Sequence, residues 1–226
     1  MNKPQQLPLD FEFRPAFGGA DFLVTDSNRE AVQWIDRWPD WLSPALVVYG
    51  PPASGKSHLA EVFRQKSQAN VMTHQDLAND QPRDPAGAAG AWIIEDADRY
   101  LGDGPPEPLF HLFNQIKEGG GSLLLSGVLP PARWLVELAD LSSRLNAAPT
   151  VGIGTPDDGL IAAVLVKLFA DRQLRVSTDV IEYAVKRMER SLAAARKLVK
   201  ALDALALAER REITVPLVRR VLAAGD

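Results

Sequence analysis

The sequence predicts an α/β protein in which a parallel sheet is flanked by helices and followed by a small all-helical lid domain. Three observations carry this prediction. Short apolar runs at 45–49, 91–94 and 122–125 alternate with segments of helical spacing, as in a parallel sheet covered on both faces. Clusters of proline, glycine and aspartate separate these runs. From about residue 155 onward, apolar residues recur only at helical spacing.

We expect three parts along the chain: an extended tail over 1–20, an α/β nucleotide-binding domain over 21–154 and a helical lid over 155–226. The apolar spacing also predicts the other elements of the α/β domain. These are helices at 26–38, 58–68, 109–117 and 134–145 and a short strand at 71–73.

Four helices are predicted in the lid. The first begins at Thr155–Asp158, where the threonine hydroxyl is the expected cap, ahead of a proline and two acids. The second follows a capping-box-like pair, Asp179 and Glu182. The third is long and carries its leucines between 192 and 205, and the last opens at Thr214–Pro216.

Composition excludes several classes of protein. The chain has 226 residues, of which 46% are hydrophobic and 24% charged, so most of it is expected to be ordered. It has no cysteine, which excludes disulfides, thiolate metal sites and thiol nucleophiles. The apolar run Leu160–Val166 is too short to cross a bilayer, and the N-terminus lacks the apolar core of a signal peptide. We therefore expect a cytoplasmic protein with no membrane partner.

Charge is distributed unevenly along the chain. The net charge of −4 argues against broad, nonspecific binding to nucleic acid. Residues 1–166 hold 12 basic and 21 acidic side chains, whereas residues 167–226 hold 13 and 8, a local charge of +5. This basic end is either a solvated helical face or a face that binds a polyanion or a partner.

The segment Gly50–Ser57 matches the phosphate-loop pattern G-x4-G-K-S between a predicted strand and a predicted helix. Backbone N–H groups of such a loop wrap phosphates, and the helix N-terminus adds positive dipole. Lys56 is expected to reach the β- and γ-phosphates, and Ser57 to offer its hydroxyl to Mg²⁺. The candidate nucleotide ligands here are Gly50, Pro51, Ala53, Ser54, Gly55, Lys56, Ser57 and His58.

A second motif places acids after the strand at 91–94. Glu95 is expected to hold Mg²⁺ through water, and Asp96 to orient an attacking water. Asp98 is nearby but less well placed by sequence position.

The order of these motifs resembles the core of AAA+ P-loop NTPases, in particular the branch of the DnaA replication initiator. The features that carry the resemblance are the phosphate loop with its Gly55–Leu59 segment, Glu95-Asp96, a strand ending in Ser126-Gly127, Leu112–Asn114, Ser143–Leu145 and the helical lid. DnaA has a helix-turn-helix DNA-binding domain after its lid, for which we expect no counterpart here.

The tail narrows this resemblance. Gln6, Leu7, Leu9 and Phe11 follow the Q-L-x-L-x-F pattern of peptides that bind the sliding clamp, the β subunit of DNA polymerase. In such a peptide the apolar side chains enter a groove and the glutamine bonds at its rim. The alternative is a tail whose apolar residues pack on their own domain. Together with the core, the tail resembles DnaA-related AAA+ proteins of the Hda type, regulatory inactivators of DnaA.

The resemblance implies a role in trans. Hda-type proteins sit on the DNA-loaded clamp, in the cytoplasm at the replisome or nucleoid, and make ATP-bound DnaA hydrolyse its ATP. Arg144 matches the family's arginine finger, and Arg190 matches the lid arginine that contacts the protein's own ADP or ATP. Contact with DNA is expected mainly through the clamp, and self-association into a homo-oligomer is compatible with the family.

Two positions depart from the family pattern. Glu95 stands where DnaA proteins usually have aspartate, and Val128 stands at the polar sensor position after the third strand. Valine cannot polarise a water, so we expect little or no intrinsic ATPase activity beside intact phosphate binding. The alternatives are a free-standing AAA+ ATPase acting on DNA-bound complexes and a DnaA-like loader or accessory protein that uses its basic lid on DNA.

Overall fold

The structure of the protein is a computed structural model. It describes residues 13–14, 22–79, 90–209 and 211–224. The chain divides into two compact units at the Gly154–Thr155 bond. The four residues predicted to bind the clamp lie outside the described residues; they are Gln6, Leu7, Leu9 and Phe11.

The first unit is built on a five-stranded parallel sheet. Two antiparallel strands of two residues each precede the sheet in the chain: β1 (Phe13–Arg14) and β2 (Phe22–Leu23). This unit begins at Phe13. The sheet strands are β3 (Ala45–Tyr49), β4 (Asn70–Val71), β5 (Ala91–Ile94), β6 (Ser122–Gly127) and β7 (Thr150–Gly152). Their spatial order is β4-β5-β6-β3-β7, and every ladder is parallel.

Helices cover both faces of this sheet, as predicted. They are α1 (Arg29–Asp36), α2 (Lys56–Ser67), α3 (His74–Ala78), α4 (Ala97–Asp103), α5 (Glu107–Glu118) and α6 (Ala139–Ala147). Because side chains alternate along a strand, Val47 and Leu125 pack with α4 and α5. Val48 and Leu124 pack with α1 and α2 on the opposite face. Both faces are apolar, which explains why the strands read as continuous apolar runs.

The helix predicted over 134–145 is wrong at its start. Pro131–Arg133 form a single 3-10 turn, and α6 begins only at Ala139. Trp134 lies between them, is buried, and donates its indole N–H to the Leu129 carbonyl at 2.6 Å. The tryptophan therefore anchors a loop instead of lying on a helix face.

The helix predicted from residue 26 begins at Arg29, because the Asn28 side chain accepts a hydrogen bond from the Thr25 N–H and closes a turn before it. The sequence patterns also missed short elements. Helix α3 has five residues behind a Thr73/Asp76 capping box, and β7 has three residues. Both are too short to show a period.

The second unit consists of four helices in the part of the chain that is described, as predicted. They are α7 (Asp158–Asp171), α8 (Thr178–Arg187), α9 (Leu192–Glu209) and α10 (Val215–Ala223). Leu165, Val199 and Val218 lie in their common core. Among the described residues, the structure contains no helix with the length and hydropathy needed to span a membrane.

Two predicted helix caps in this unit are wrong. Asp157, rather than Thr155, caps α7, because its carboxylate accepts the Leu160 N–H at 2.7 Å. Asp179 lies inside the first turn of α8, whose N-cap residue is Ser177, so Asp179 and Glu182 form no capping box. Thr214 and Pro216 open α10 as predicted.

Candidate functional site

The candidate phosphate loop connects β3 to α2 at the carboxyl end of the sheet. The Gly50 N–H donates to the Gly127 carbonyl at 3.1 Å, which ties the loop to the neighbouring strand β6. A Cβ added at Gly50 would lie 2.3 Å from the Ile153 carbonyl oxygen, so only glycine fits there. Gly55 has φ of 111° and leads directly into the first residue of α2, Lys56. The loop thus ends at a helix N-terminus, the geometry that favours phosphate.

Lys56 is held inside this loop. Its ammonium donates to the carbonyls of Gly50, at 2.8 Å, and Pro51, at 3.0 Å. Burial lowers the pKa of Lys56 below its usual value, and the negative charges of Asp96, Asp98 and Glu95 oppose this shift, in that order of size. The two carbonyls carry only partial charge, so the cation remains uncompensated at short range and suits a phosphate oxygen.

The Ser54 hydroxyl is the second sign that the loop fits an anion. It is buried, and its oxygen has no hydrogen-bond partner within the described parts of the chain. Buried polar atoms normally find a partner, so an unpaired hydroxyl in a phosphate loop indicates that a ligand supplies one. Ser57 is exposed on the first turn of α2, and His58 beside it is half-buried.

The three acids after β5 have different surroundings. The Glu95 carbonyl accepts a hydrogen bond from His74 Nε2 at 2.8 Å. Asp96 has φ of 51°, and its N–H donates to the Ser126 Oγ at 3.1 Å. The Asp98 carboxylate accepts the Val128 N–H at 2.6 Å. The described residues hold no cluster of three or more His, Asp or Glu that would bind a metal by itself.

Val128 lies one residue beyond the end of β6. Its side chain is 42% exposed, and its N–H is occupied by Asp98. Ser126 is buried in β6, and its hydroxyl is used to hold the backbone of Asp96. Val128 therefore offers no polar side-chain atom at this strand end, and the Ser126 hydroxyl is buried and already holds the Asp96 backbone.

Arg144 lies in α6 and packs against two aromatic rings of α5. Its guanidinium carbon is 5.2 Å from the centre of the Phe110 ring and 5.9 Å from that of Phe113. No ion pair joins Arg144 to a carboxylate in the portion of the chain that the structure describes. Arg144 is half-buried.

Arg190 lies in the helical unit, between α8 and α9. It is exposed and pairs with Asp158 at the start of α7, with 3.0 Å between Nη2 and Oδ1. Its assignment as a nucleotide contact stays a prediction.

Sequence reasoning placed Asp98 near the site and Ser126 at a strand end, but it missed their backbone contacts and the role of Phe110. Ser126 and Asp98 act through backbone groups, and no motif marks a side chain that holds a neighbour's N–H. Phe110 lies three residues before Phe113 and four before Asn114, so its helical spacing could have placed it on the same face of the predicted helix.

Part of the chain matches a protein-family model. Residues 158–222, which span α7 to nearly the end of α10, match the model of the Hda lid domain. The α/β unit lies outside that match.

Sequence relatives extend over nearly the whole chain. An uncharacterized protein of Haemophilus influenzae is 26% identical over 98% of this chain and 99% of its own length. The DnaA protein of Thermomicrobium roseum is 26% identical over 94% of this chain and 50% of its own length. The chain thus spans about half the length of the DnaA proteins that it matches.

Solved structures have the same fold. Domain III of DnaA from Thermotoga maritima superposes with a TM-score of 0.74 at 17% identity, over 90% of this chain and 94% of that one. AMPPCP-bound DnaA from Aquifex aeolicus gives 0.68 at 17% identity, over 80% and 63%. These matches confirm the predicted AAA+ fold class and the predicted resemblance to DnaA-related proteins with an Hda-type lid.

Proposed function

We propose that this protein is a nucleotide-binding negative regulator of replication initiation. In this proposal it docks on the sliding clamp through Gln6, Leu7, Leu9 and Phe11, and it stimulates ATP hydrolysis by the DnaA initiator. Arg144 is the group that acts in trans. The protein works at the replisome, and its contact with DNA is mainly indirect.

The state of Arg144 is the observation that carries this proposal. Its guanidinium lies over Phe110, and no carboxylate of the described residues pairs with it, so the charge is held in place without being neutralised by them. An arginine presented to the γ-phosphate of a neighbouring ATPase stabilises transition-state charge, an effect of about 10³–10⁵ in rate. A guanidinium already bound to an acid would first have to break that pair.

The phosphate loop supports binding of ADP or ATP by this chain. Lys56 and the loop N–H groups are suited to the phosphates, and the unpaired Ser54 hydroxyl offers one more hydrogen bond. With Mg²⁺ bound, Ser57 and Glu95 would be its protein ligands, and the metal would supply charge that compensates the phosphates. AMPPCP is bound by a structural neighbour with the same fold, DnaA of Aquifex aeolicus.

The strand end beside the loop argues against hydrolysis by this chain itself. Val128 has no polar atom in its side chain, and the Ser126 hydroxyl is engaged by Asp96. Asp96 could still orient a water, so the expected intrinsic rate is low rather than zero. Nucleotide binding would then control whether this protein can act on DnaA, and hydrolysis of its own ATP would not power that action.

The test is ATP hydrolysis by the initiator in the presence of DNA-loaded clamp, with and without this protein. We expect stimulation by the native chain and its loss in Arg144→Ala. Arg133→Ala is the matched control, because Arg133 is an exposed arginine in the same loop-helix region and has no role in the proposal. Phe11→Ala should abolish clamp binding while leaving the melting temperature unchanged.

Two results would contradict the proposal. If Arg144→Ala still stimulated hydrolysis by the initiator, Arg144 would not be the arginine that acts in trans. Absence of stimulation by folded, clamp-bound protein would leave a clamp-tethered nucleotide-binding module with a different client.

A further inference from the structure

Two arginines from different helices of the second unit converge on one tyrosine ring. Tyr183 and Arg187 lie on α8, and Arg219 lies on α10. The guanidinium carbons of Arg187 and Arg219 are 5.9 Å and 5.8 Å from the centre of the Tyr183 ring. The Arg219 Nε–H also donates to the Tyr183 hydroxyl oxygen at 3.2 Å. The packing of α8 against α10 therefore brings two like charges to one aromatic platform.

Neither of these arginines has an ion-pair partner among the residues that the structure describes. Their neighbours do: Lys186 pairs with Glu182, and Arg220 with Glu209. Glu182 and Glu209 are thus each paired with a different cation. Arg187 and Arg219 are both exposed, so two uncompensated cations face solvent around one ring.

The chemistry of this arrangement favours phosphate. A guanidinium that rests on a ring has a fixed plane, and its outer N–H groups form a fork that matches two phosphate oxygens. The Tyr183 ring already carries two guanidinium groups, so it is not available to stack on a base or to anchor a protein partner. Single-strand binding relies on free aromatic faces, whereas backbone contact with a duplex does not.

The charge of the surrounding segment agrees with a polyanionic ligand. Residues 167–226 carry 13 basic and 8 acidic side chains, although the whole chain has a net charge of −4. The electrostatic potential of a protein with a net negative charge does not attract DNA, so any DNA binding has to come from a cluster of positive side chains.

We propose that Tyr183, Arg187 and Arg219 form a binding site for the phosphate backbone of duplex DNA. The site does not discriminate between base sequences, because its groups contact phosphate and not base edges. It lies in the lid and is separate from the phosphate loop in sequence and in chemistry. The inference does not depend on the proposed function, and it is tested with DNA alone.

The experiment is fluorescence anisotropy of the full chain with a labelled duplex of arbitrary sequence, titrated over a range of salt concentrations. The double variant Arg187→Gln/Arg219→Gln removes two phosphate contacts. We expect it to weaken binding by at least about tenfold at about 50 mM salt, and to reduce the slope of log K against log salt by about 1.8. Tyr183→Leu keeps both charges but removes the platform, so it should weaken binding less than the double variant does.

The double variant Arg172→Gln/Arg211→Gln is the charge-matched control, because Arg172 already pairs with Asp203 at 3.7 Å and Arg211 with Glu209 at 2.9 Å in the same unit. It should change the affinity by about twofold or less. Circular dichroism melts show whether each variant is folded. The proposal is overturned if the native chain shows no salt-dependent binding to the duplex, if a single strand binds more tightly than the duplex, or if the control loses as much affinity as the double variant.

Discussion

Side chains that hold backbone groups shape the strand end beside the phosphate loop. Ser126 fixes the left-handed Asp96, and Asp98 fixes the N–H of Val128. The loop after β6 is held by the Asp98 carboxylate and by the Trp134 indole N–H, so its structure does not require a polar side chain at Val128.

Phe110→Leu tests whether the aromatic ring positions Arg144. A cation–π contact is worth about 0.5–1 kcal/mol at an exposed site, so we expect a two- to fivefold lower maximal stimulation of initiator hydrolysis, about the rate equivalent of that energy. The concentration of protein at half-maximal stimulation should be unchanged. Phe110→Tyr keeps the ring and should behave like the native chain. Equal losses in both variants would show that the ring face is not what matters.

Gly127→Ala tests how tightly the end of β6 is packed. An added Cβ would lie 2.8 Å from the Trp134 ring and 3.1 Å from the Asp98 carboxyl carbon. We expect a destabilisation of about 1–3 kcal/mol in urea unfolding, because both neighbours are themselves held by hydrogen bonds. A variant as stable as the native chain would mean that this contact relaxes at no cost.

At the scale of elements, short helices and strands explain most of the difference between prediction and structure. The buried strands β3, β5 and β6 were predicted because both of their faces are apolar, and the long helix α9 because its apolar stripe repeats over several turns. Helix α3 and strand β7 have too few residues for a period. Trp134 has the spacing of a helical residue, but it is extended at the end of the Pro131–Arg133 turn, and its indole N–H is used to hold the Leu129 carbonyl.

Gly102→Ala should strengthen a helix, in contrast to the substitution at Gly127. Gly102 is exposed in α4, and apart from the adjacent helix backbone nothing lies within 4 Å of the position of an added Cβ. Alanine lowers the entropy of the unfolded chain and favours the helix, by about 0.5–1 kcal/mol. Urea unfolding of Gly102→Ala should shift to higher denaturant, and a shift in the opposite direction would contradict the assigned geometry of α4.

In helix α2, the contribution of Glu61 to the stability of the fold depends on pH. The hydrogen bond from Arg64, followed by that from Gln65, lowers the pKa of Glu61 from 4.5 to about 2. A carboxylate with a lowered pKa stabilises the fold above its unfolded pKa, and this stabilisation is lost as the pH falls through the folded pKa. Glu61→Gln should therefore melt about 1–2 °C lower than the native chain at pH 7. The difference should narrow below about pH 4.5 and vanish near pH 2. A difference that stays constant over that range would rule out the ion pair as its source.

At the scale of the whole molecule, the sequence allowed the α/β unit and the four-helix unit to be predicted, together with the phosphate loop. The motif predicts that loop because its glycines and lysine are dictated by backbone geometry: Gly50 has no space for a Cβ, and Lys56 is the first residue of a helix. The platforms under Arg144 and around Tyr183 could not be predicted in the same way. These contacts form where two helices pack together, and a short sequence pattern does not predict which helices pack.

In the proposed function, this chain binds nucleotide itself but completes the active site of another protein. The most direct test loads the initiator and this protein with ATP carrying different labels, combines them on DNA-loaded clamp, and follows both labels over a single turnover. We expect rapid cleavage of the ATP on the initiator, dependent on Arg144, while the ATP on this protein stays largely intact. Brisk cleavage of this protein's own ATP, with the initiator's label unchanged, would contradict the central claim.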